Sequence, residues 1–231
     1  IKGGTFLEEE RYQDVCSYIR TLIERGELHL GDRLPTERAL SLALGVSRGT
    51  VRDGLRLLES MGVLESRQGS GNYLSNHMGR YLAQSLHFML LLGEIDYQSI
   101  NRMRRAIELQ SYRIAVQRCT PEQIHALWSI LDDMERTRCA QTDEAFHAAL
   151  IELGGDPLMQ TVMESLSDVI GKLISQFLSR GAQDILVQTL DSHRRILECL
   201  EHRHLEAGCA AISRHYDIND AEIARWQAER K

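Results

Sequence analysis

The chain has 231 residues, 43% of them hydrophobic, which is enough for two ordinary domains with a core each. No run of 18 or more apolar residues occurs, which excludes a membrane-crossing helix, and a formal net charge of -6 is not the basic balance of a compact nucleic-acid binder. The charge is uneven, however: residues 1–76 carry 10 Lys+Arg against 11 Asp+Glu, net -1, and residues 77–231 carry 17 against 22, net -5. A basic face built from Arg33, Arg38, Arg48, Arg52, Arg56 and Arg67 thus remains open to the first part.

In chain order, Tyr12, Val15, Ile19 and Leu22 recur at steps of three and four and predict a first helix of about four turns, with Gly26 just past the stripe. Residues 31–38 form a turn into a short second helix, with Thr36 as N-cap and Gly45 as terminator after Leu44. Ser47 caps a third helix whose buried side is marked by Val51, Leu55, Leu58 and Met61 before Gly62 ends it. Residues 63–67 and 72–74 read as two short strands around the glycine turn Gln68-Gly69-Ser70-Gly71, which is a wing. Periodicity lapses over 75–79, where the domain boundary is expected, and everything beyond has helical spacing. Thr120-Pro121 and Asp156-Pro157 each pair an N-cap residue with proline at the first helical position, and Gly154-Gly155 and Gly181 mark stops. Six or seven helices result, at roughly 80–92, 97–118, 121–139, 142–152, 157–179, 183–201 and 205–227. The expected fold is mainly α: a winged helix-turn-helix over 8–75, a linker over 76–79 and an antiparallel all-helical bundle over 80–228. Five cysteines, an odd number without Cys-x-x-Cys spacing, fit free thiols in a reducing compartment. The start, Ile1-Lys2-Gly3-Gly4, reads as a trimmed end without a secretion signal, so a cytoplasmic location is expected.

A helix-turn-helix lays its second helix in the major groove, with side chains near that helix's N-terminus on base edges and its first N–H groups facing a phosphate. Ser47 and Thr50 supply short hydroxyls, Arg48 and Arg52 lie four apart on one face, and Arg38 approaches from the preceding helix. Arg67 and Gln68 at the wing tip, beside Gly69, suit the neighbouring minor groove. Taken singly, each arginine is an ordinary solvated charge. Taken in order, the helix, Leu34-Pro35-Thr36-Glu37-Arg38, Val46-Ser47-Arg48-Gly49-Thr50-Val51-Arg52, Leu57-Leu58-Glu59, Gly62 and the Gly-rich hairpin resemble the DNA-binding domain of the GntR family of regulators. The resemblance implies DNA contacts at Arg38, Ser47, Arg48, Thr50, Arg52, Gln68 and Gly69. Gly49 and Gly54 depart from the family's more usual residues, and Gly54 is expected to weaken its helix by about 1 kcal/mol against alanine. Binding as a homodimer to a palindromic double-stranded operator follows from the short module, whose specificity usually needs two half-sites.

In the second part, Asp143 and His147 lie one turn apart on a face shared with Phe146, Leu150 and Ile151. His193 falls on the stripe Leu186, Leu190, Leu197 and Leu200, and His215 on the stripe Ala211, Ile212 and Ile218. A lone histidine on an apolar face is usually a hydrogen-bonded core residue. Four polar groups facing one core carry a large desolvation cost unless they share a partner, and a divalent cation supplies one. An all-helical bundle behind such a reader resembles the FadR-type subfamily with its FCD effector-binding domain, and its metal-containing branch implies ligands at Asp143, His147, His193 and His215. Imidazole-rich ligation puts zinc or nickel first among the candidate ions. Arg104, in Arg104-Arg105-Ala106-Ile107-Glu108, resembles the subfamily's Arg-x-x-hydrophobic-Glu signature and suits a small carboxylate effector, an organic or sugar acid. The other reading of Arg104 is an exposed pair with Glu108, four residues on, of little energetic consequence.

The chain is expected to be a regulator, a repressor rather than an enzyme. Two alternatives are weighed against it. A metal-free regulator responding to an acyl-CoA does not need the Asp/His set, and a metal-dependent hydrolase needs a general base and an electrophile that the sequence does not display.

Overall fold

A computed structural model describes residues 4–179 and 183–229, with side chains for all of these except 4–11, 140, 172, 174–179 and 183–186. It divides into two compact units, one ending at Leu82 and one beginning at Ala83. In the first, α1 (Gly4–Glu24), α2 (Glu37–Leu44) and α3 (Arg48–Ser60) precede an antiparallel hairpin of β1 (Leu64–Arg67) and β2 (Gly71–Leu74), in the register Leu64↔Leu74 to Arg67↔Gly71. The first helix begins before its apolar stripe, at Gly4, and runs 21 residues. Thr36 Oγ1 accepts from the Ala39 N–H to start α2, and Gly45, at φ +64, ends it in the left-handed conformation that glycine enters without a Cβ penalty. Ser47 then caps α3, so the two helices meet across a turn of three residues.

Val15 and Ile19 of α1, Leu40 of α2, Val51 and Leu55 of α3 and Leu64 of β1 close over one another as the core of this unit. Fully burying one such side chain contributes about 1.5–3 kcal/mol. Met61, expected on this buried side, is instead 51% exposed, because it is the C-cap residue beyond the last full turn. Gly54 also acts otherwise than its helix propensity suggests. A Cβ there would lie 2.7 Å from Val15 Cβ and 3.1 Å from the Tyr12 carbonyl oxygen. The missing side chain is therefore what lets α1 and α3 pack so closely, and a change to alanine would gain propensity but overpack the contact.

The second unit contains the remainder of α4 (Met78–Leu91) and then α5 (Tyr97–Arg118), α6 (Pro121–Thr137), α7 (Ala140–Glu152), α8 (Pro157–Ser179), α9 (Gln183–Glu201) and α10 (Leu205–Ala228). The Pro121 start carries a full capping box: Thr120 Oγ1 accepts from Gln123 N–H, and Gln123 Oε1 accepts from Thr120 N–H. Asp156 Oδ1 accepts from the N–H groups of Leu158 and Met159 at the start of α8. Gly181, expected as a stop, lies outside the described residues. Helix α10 packs on α9 and α5, while α7 lies against α5, α6 and α8. Four helices, α5, α7, α9 and α10, thereby send side chains into one interior.

Candidate functional site

The first unit presents an exposed polar edge at the start of α3. Ser47 Oγ accepts from the Thr50 N–H at 3.1 Å and lies 2.9 Å from the Thr50 hydroxyl, which holds both hydroxyls at the helix N-terminus. Arg38, Arg48 and Arg52 are exposed around it. Their electrostatics differ. Arg52 forms a two-pronged contact with Glu37, Nη2 to Oε2 at 3.1 Å and Nε to Oε1 at 3.4 Å, and this hydrogen bond and charge raise its pKa further. Arg38 and Arg48 have no ion-pair partner among the described residues. At the wing, Gln68 and Gly69 occupy the exposed turn, Gly69 at φ +72 with open space about it, and the Arg67 guanidinium lies 4.2 Å from the centre of the Tyr73 ring. The Glu37–Arg52 pair was not legible in the sequence, since fifteen residues and a turn separate the partners.

The second unit holds a buried polar centre. Arg104, Glu108 and His193 are 0% exposed, His147 and His215 1%, and Asp143 5%. One nitrogen from each of His147, His193 and His215 lies within 4.8 Å of the others. Asp143 stands beside them: Oδ2 is 3.8 Å from His147 Nε2 and Oδ1 is 3.8 Å from His193 Nε2. The four residues named from the sequence thus come together from α7, α9 and α10. His193 also stacks on Phe146, with ring centres 4.2 Å apart.

Hydrogen bonds around the imidazoles fix which nitrogens remain open. His147 Nδ1 donates to Glu108 Oε2 at 2.5 Å, leaving Nε2 buried with no hydrogen-bond partner among the described residues. Ser192 Oγ donates to the Thr189 carbonyl and therefore receives the Nδ1–H of His215 at 3.0 Å, which leaves His215 Nε2 as an acceptor facing the Asn219 amide at 3.1 Å. Both nitrogens of His193 are buried with no hydrogen-bond partner among the described residues. Burial, then the charge of the neighbouring imidazoles, pushes His193 and His215 well below the ordinary histidine range, so each is neutral and keeps a lone pair. For Glu108, burial works to raise the pKa, but His147, Tyr216 and Arg104 outweigh it and hold the carboxyl below its usual value. Tyr216, buried and donating to Glu108 Oε2 at 2.9 Å, is pushed far above its own.

Neutral imidazoles with inward lone pairs, flanked by a carboxylate and backed by hydrogen-bond acceptors, are the donor chemistry that suits a divalent ion. The residues present fit such an ion, because it would meet His147 Nε2 and His193, whose nitrogens have no hydrogen-bond partner among the described residues, while His215 Nε2 would have to exchange the Asn219 amide for it. Arg104 is the second unmet group: Nε, Nη1 and Nη2 are all buried without a hydrogen-bond partner among the described residues, and its Cζ lies 5.7 Å from the centre of the Tyr216 ring. The exposed Arg104–Glu108 pair considered from the sequence is therefore incorrect, since both residues lie in the interior and Glu108 turns instead to His147 and Tyr216. Glu108, Tyr216, Ser192 and Asn219 are site residues that periodicity missed. Only the spacing of Arg104 and Glu108 and the adjacency of His215 and Tyr216 hinted at two of them.

Comparison with known proteins agrees with this division. Residues 11–74 match the family described as bacterial regulatory proteins, gntR family, and residues 99–218 match the FCD domain. The chain belongs to the GntR family and carries an FCD domain. Among its relatives, the uncharacterized HTH-type transcriptional regulator YcbG of Bacillus subtilis is 29% identical over 206 residues, 88% of this chain and 85% of YcbG. The HTH-type transcriptional regulator LutR of the same species is 29% identical over 154 residues, 64% of this chain and 70% of LutR. The solved GntR protein of Streptococcus agalactiae superposes with a TM-score of 0.69 at 24% identity, covering 92% of this chain and 99% of that one, and shows the same fold. This GntR/FCD protein is a DNA-binding transcription regulator, in keeping with relatives named as regulators and not as enzymes. None of its described helices is long and apolar enough to cross a membrane.

Proposed function

We propose that this regulator is a cytoplasmic repressor which binds a palindromic operator as a homodimer and responds to a small carboxylate effector, an organic or sugar acid. The reader spans 8–75, a linker 76–79 and the sensor 80–228. DNA contacts come from Arg38, Ser47, Arg48, Thr50, Arg52, Gln68 and Gly69, with Arg48 ahead of Arg52 because the latter is already engaged by Glu37. In the sensor, Asp143, His147, His193 and His215 would hold a divalent ion, zinc or nickel, which supplies a Lewis-acidic anchor for an anion. Arg104 binds and orients the effector carboxylate from the other side.

The observation that carries this reading is a set of buried groups without hydrogen-bond partners among the described residues: His147 Nε2, both nitrogens of His193, and the Arg104 guanidinium, which lies 5.7 Å from the Tyr216 ring and whose charge acts on Glu108, His193 and His215. A buried cation without a partner costs several kcal/mol, and a carboxylate with its two oxygens removes that cost. An effector that favours one arrangement of the regulator shifts its population, and with it the occupancy of the operator. The test is elemental analysis of the purified protein together with operator-binding titrations across a panel of small carboxylates. One equivalent of metal and a carboxylate-dependent change in affinity support the reading. A metal-free protein that still responds, or a monomer that binds half-sites with full affinity, overturns the corresponding part.

A further inference from the structure

The three imidazoles of the buried centre are not in the same state. His147 Nε2 and both nitrogens of His193 have no hydrogen-bond partner among the described residues, whereas His215 Nε2 faces the Asn219 amide nitrogen at 3.1 Å. The direction of that bond is fixed from the other side of the ring. Ser192 Oγ gives its one hydrogen to the Thr189 carbonyl at 2.7 Å, so toward His215 it is an acceptor, receiving the Nδ1–H at 3.0 Å. Nε2 then carries the lone pair, and Asn219 must turn its N–H₂ toward it and not its carbonyl. The lone pair that an ion needs from His215 is therefore already taken, by a residue one turn further along α10.

Asn219 cannot drift away with its backbone. The turn that carries it is tied to α5: Asn101 Nδ2 donates to the Tyr216 carbonyl at 3.2 Å and to Asp220 Oδ1 at 2.7 Å, and Arg105 Nη2 donates to Asp217 Oδ1 at 2.6 Å and Asp220 Oδ2 at 3.3 Å. Release of Nε2 falls to rotation of the Asn219 side chain, which is half-buried and so has a path to water. Resting on the metal reading of this site, we propose that Asn219 is a built-in competitor for the ion: its amide caps His215 in the empty sensor, holds the ring in place, and must let go before the ion is bound. Loading breaks this hydrogen bond, so the amide stabilises the empty state and not the loaded one. An interaction made in only one of two states shifts the balance between them by its own strength. Asn219 thus sets how much free ion the regulator needs before its site fills, and His147 Nε2 and His193 impose no such exchange.

The inference is tested by the zinc affinity of the full-length, chelator-stripped protein, measured by competition with a chromophoric chelator in the wild type, Asn219→Ala and Asn219→Leu. Without the amide the empty state keeps a buried nitrogen unpaired, so the variants should bind zinc about three- to tenfold more tightly than the wild type. Asn219→Leu is the stricter of the two, because a side chain of similar size keeps water from taking the place of the amide. If Asn219→Ala equals the wild type, water has replaced the amide and Asn219→Leu decides. Thermal unfolding reads the same cycle: the stripped variants should unfold below the stripped wild type, while the loaded proteins unfold closer together. A side chain that only packs predicts equal zinc affinity in both variants, with stripped and loaded proteins destabilised alike. One that supports the loaded site predicts weaker zinc binding. Either result would overturn the inference and leave the metal site standing. A stripped wild type that takes up no zinc refutes the site itself, and this inference with it.

Discussion

His193→Ala separates a metal-binding cluster from a merely packed one. His193 is fully buried, stacked on Phe146 at 4.2 Å, and neither of its ring nitrogens has a hydrogen-bond partner among the described residues. Truncation removes a buried ring, a change that costs about 3–5 kcal/mol for a buried aromatic. It also removes two unmet polar atoms, each of which costs about 1–3 kcal/mol while it stays buried. These effects largely offset, so metal-stripped variant and metal-stripped wild type should unfold within about 1–2 kcal/mol of each other. The loaded proteins should differ far more. An ion at a hundred times its dissociation constant stabilises the wild type by about 2.7 kcal/mol. For a chain of this size that is a rise of roughly 5–10 °C in Tm. With one of four ligands gone, affinity should fall by orders of magnitude and the rise should disappear. Thermal unfolding with and without excess zinc, alongside elemental analysis, reads this directly, and operator binding without effector should survive in the variant. An unchanged metal-induced rise in His193→Ala would refute the assignment.

Arg48→Ala should weaken operator binding by about 1–3 kcal/mol and flatten its salt dependence, with Arg52→Ala costing less because that guanidinium is held by Glu37; fluorescence anisotropy over a salt series checks the order, and equal or absent losses count against it. Gly54→Ala should lower stability by about 1–2 kcal/mol, the overpacking against Val15 exceeding the gain in helix propensity; a stabilised variant in chemical denaturation would show that α1 and α3 yield freely. In metal-free protein, His193 and His215 have folded pKa values below the unfolded value of 6.5, so the unfolded chain takes up protons first. Their contribution is present above that value and lost as pH falls below it; a Tm that stays level from about pH 7.5 to 5 would contradict neutral buried imidazoles.

The sequence by itself determined every helix from α2 onward to within a few residues, the wing, and most of the apolar residues that face inward, Met61 excepted, because caps, prolines and apolar stripes act over one or two turns of chain. Thr36, Ser47, Thr120 and Asp156 bond to N–H groups two or three residues away, so their role is written locally. It also placed Asp143, His147, His193 and His215 on inward stripes. What it could not decide was partnership across the fold. Glu108 meets His147 at a separation of 39 residues and Tyr216 at 108, and no periodicity carries a contact of that range. For the same reason Arg104 could be read as an exposed charge until α5 was seen packed against α7, α9 and α10. Gly54 makes the same point for packing. Its propensity is a local property and reads as a defect, whereas the 2.7 Å approach of Val15 that makes it necessary exists only once two helices meet.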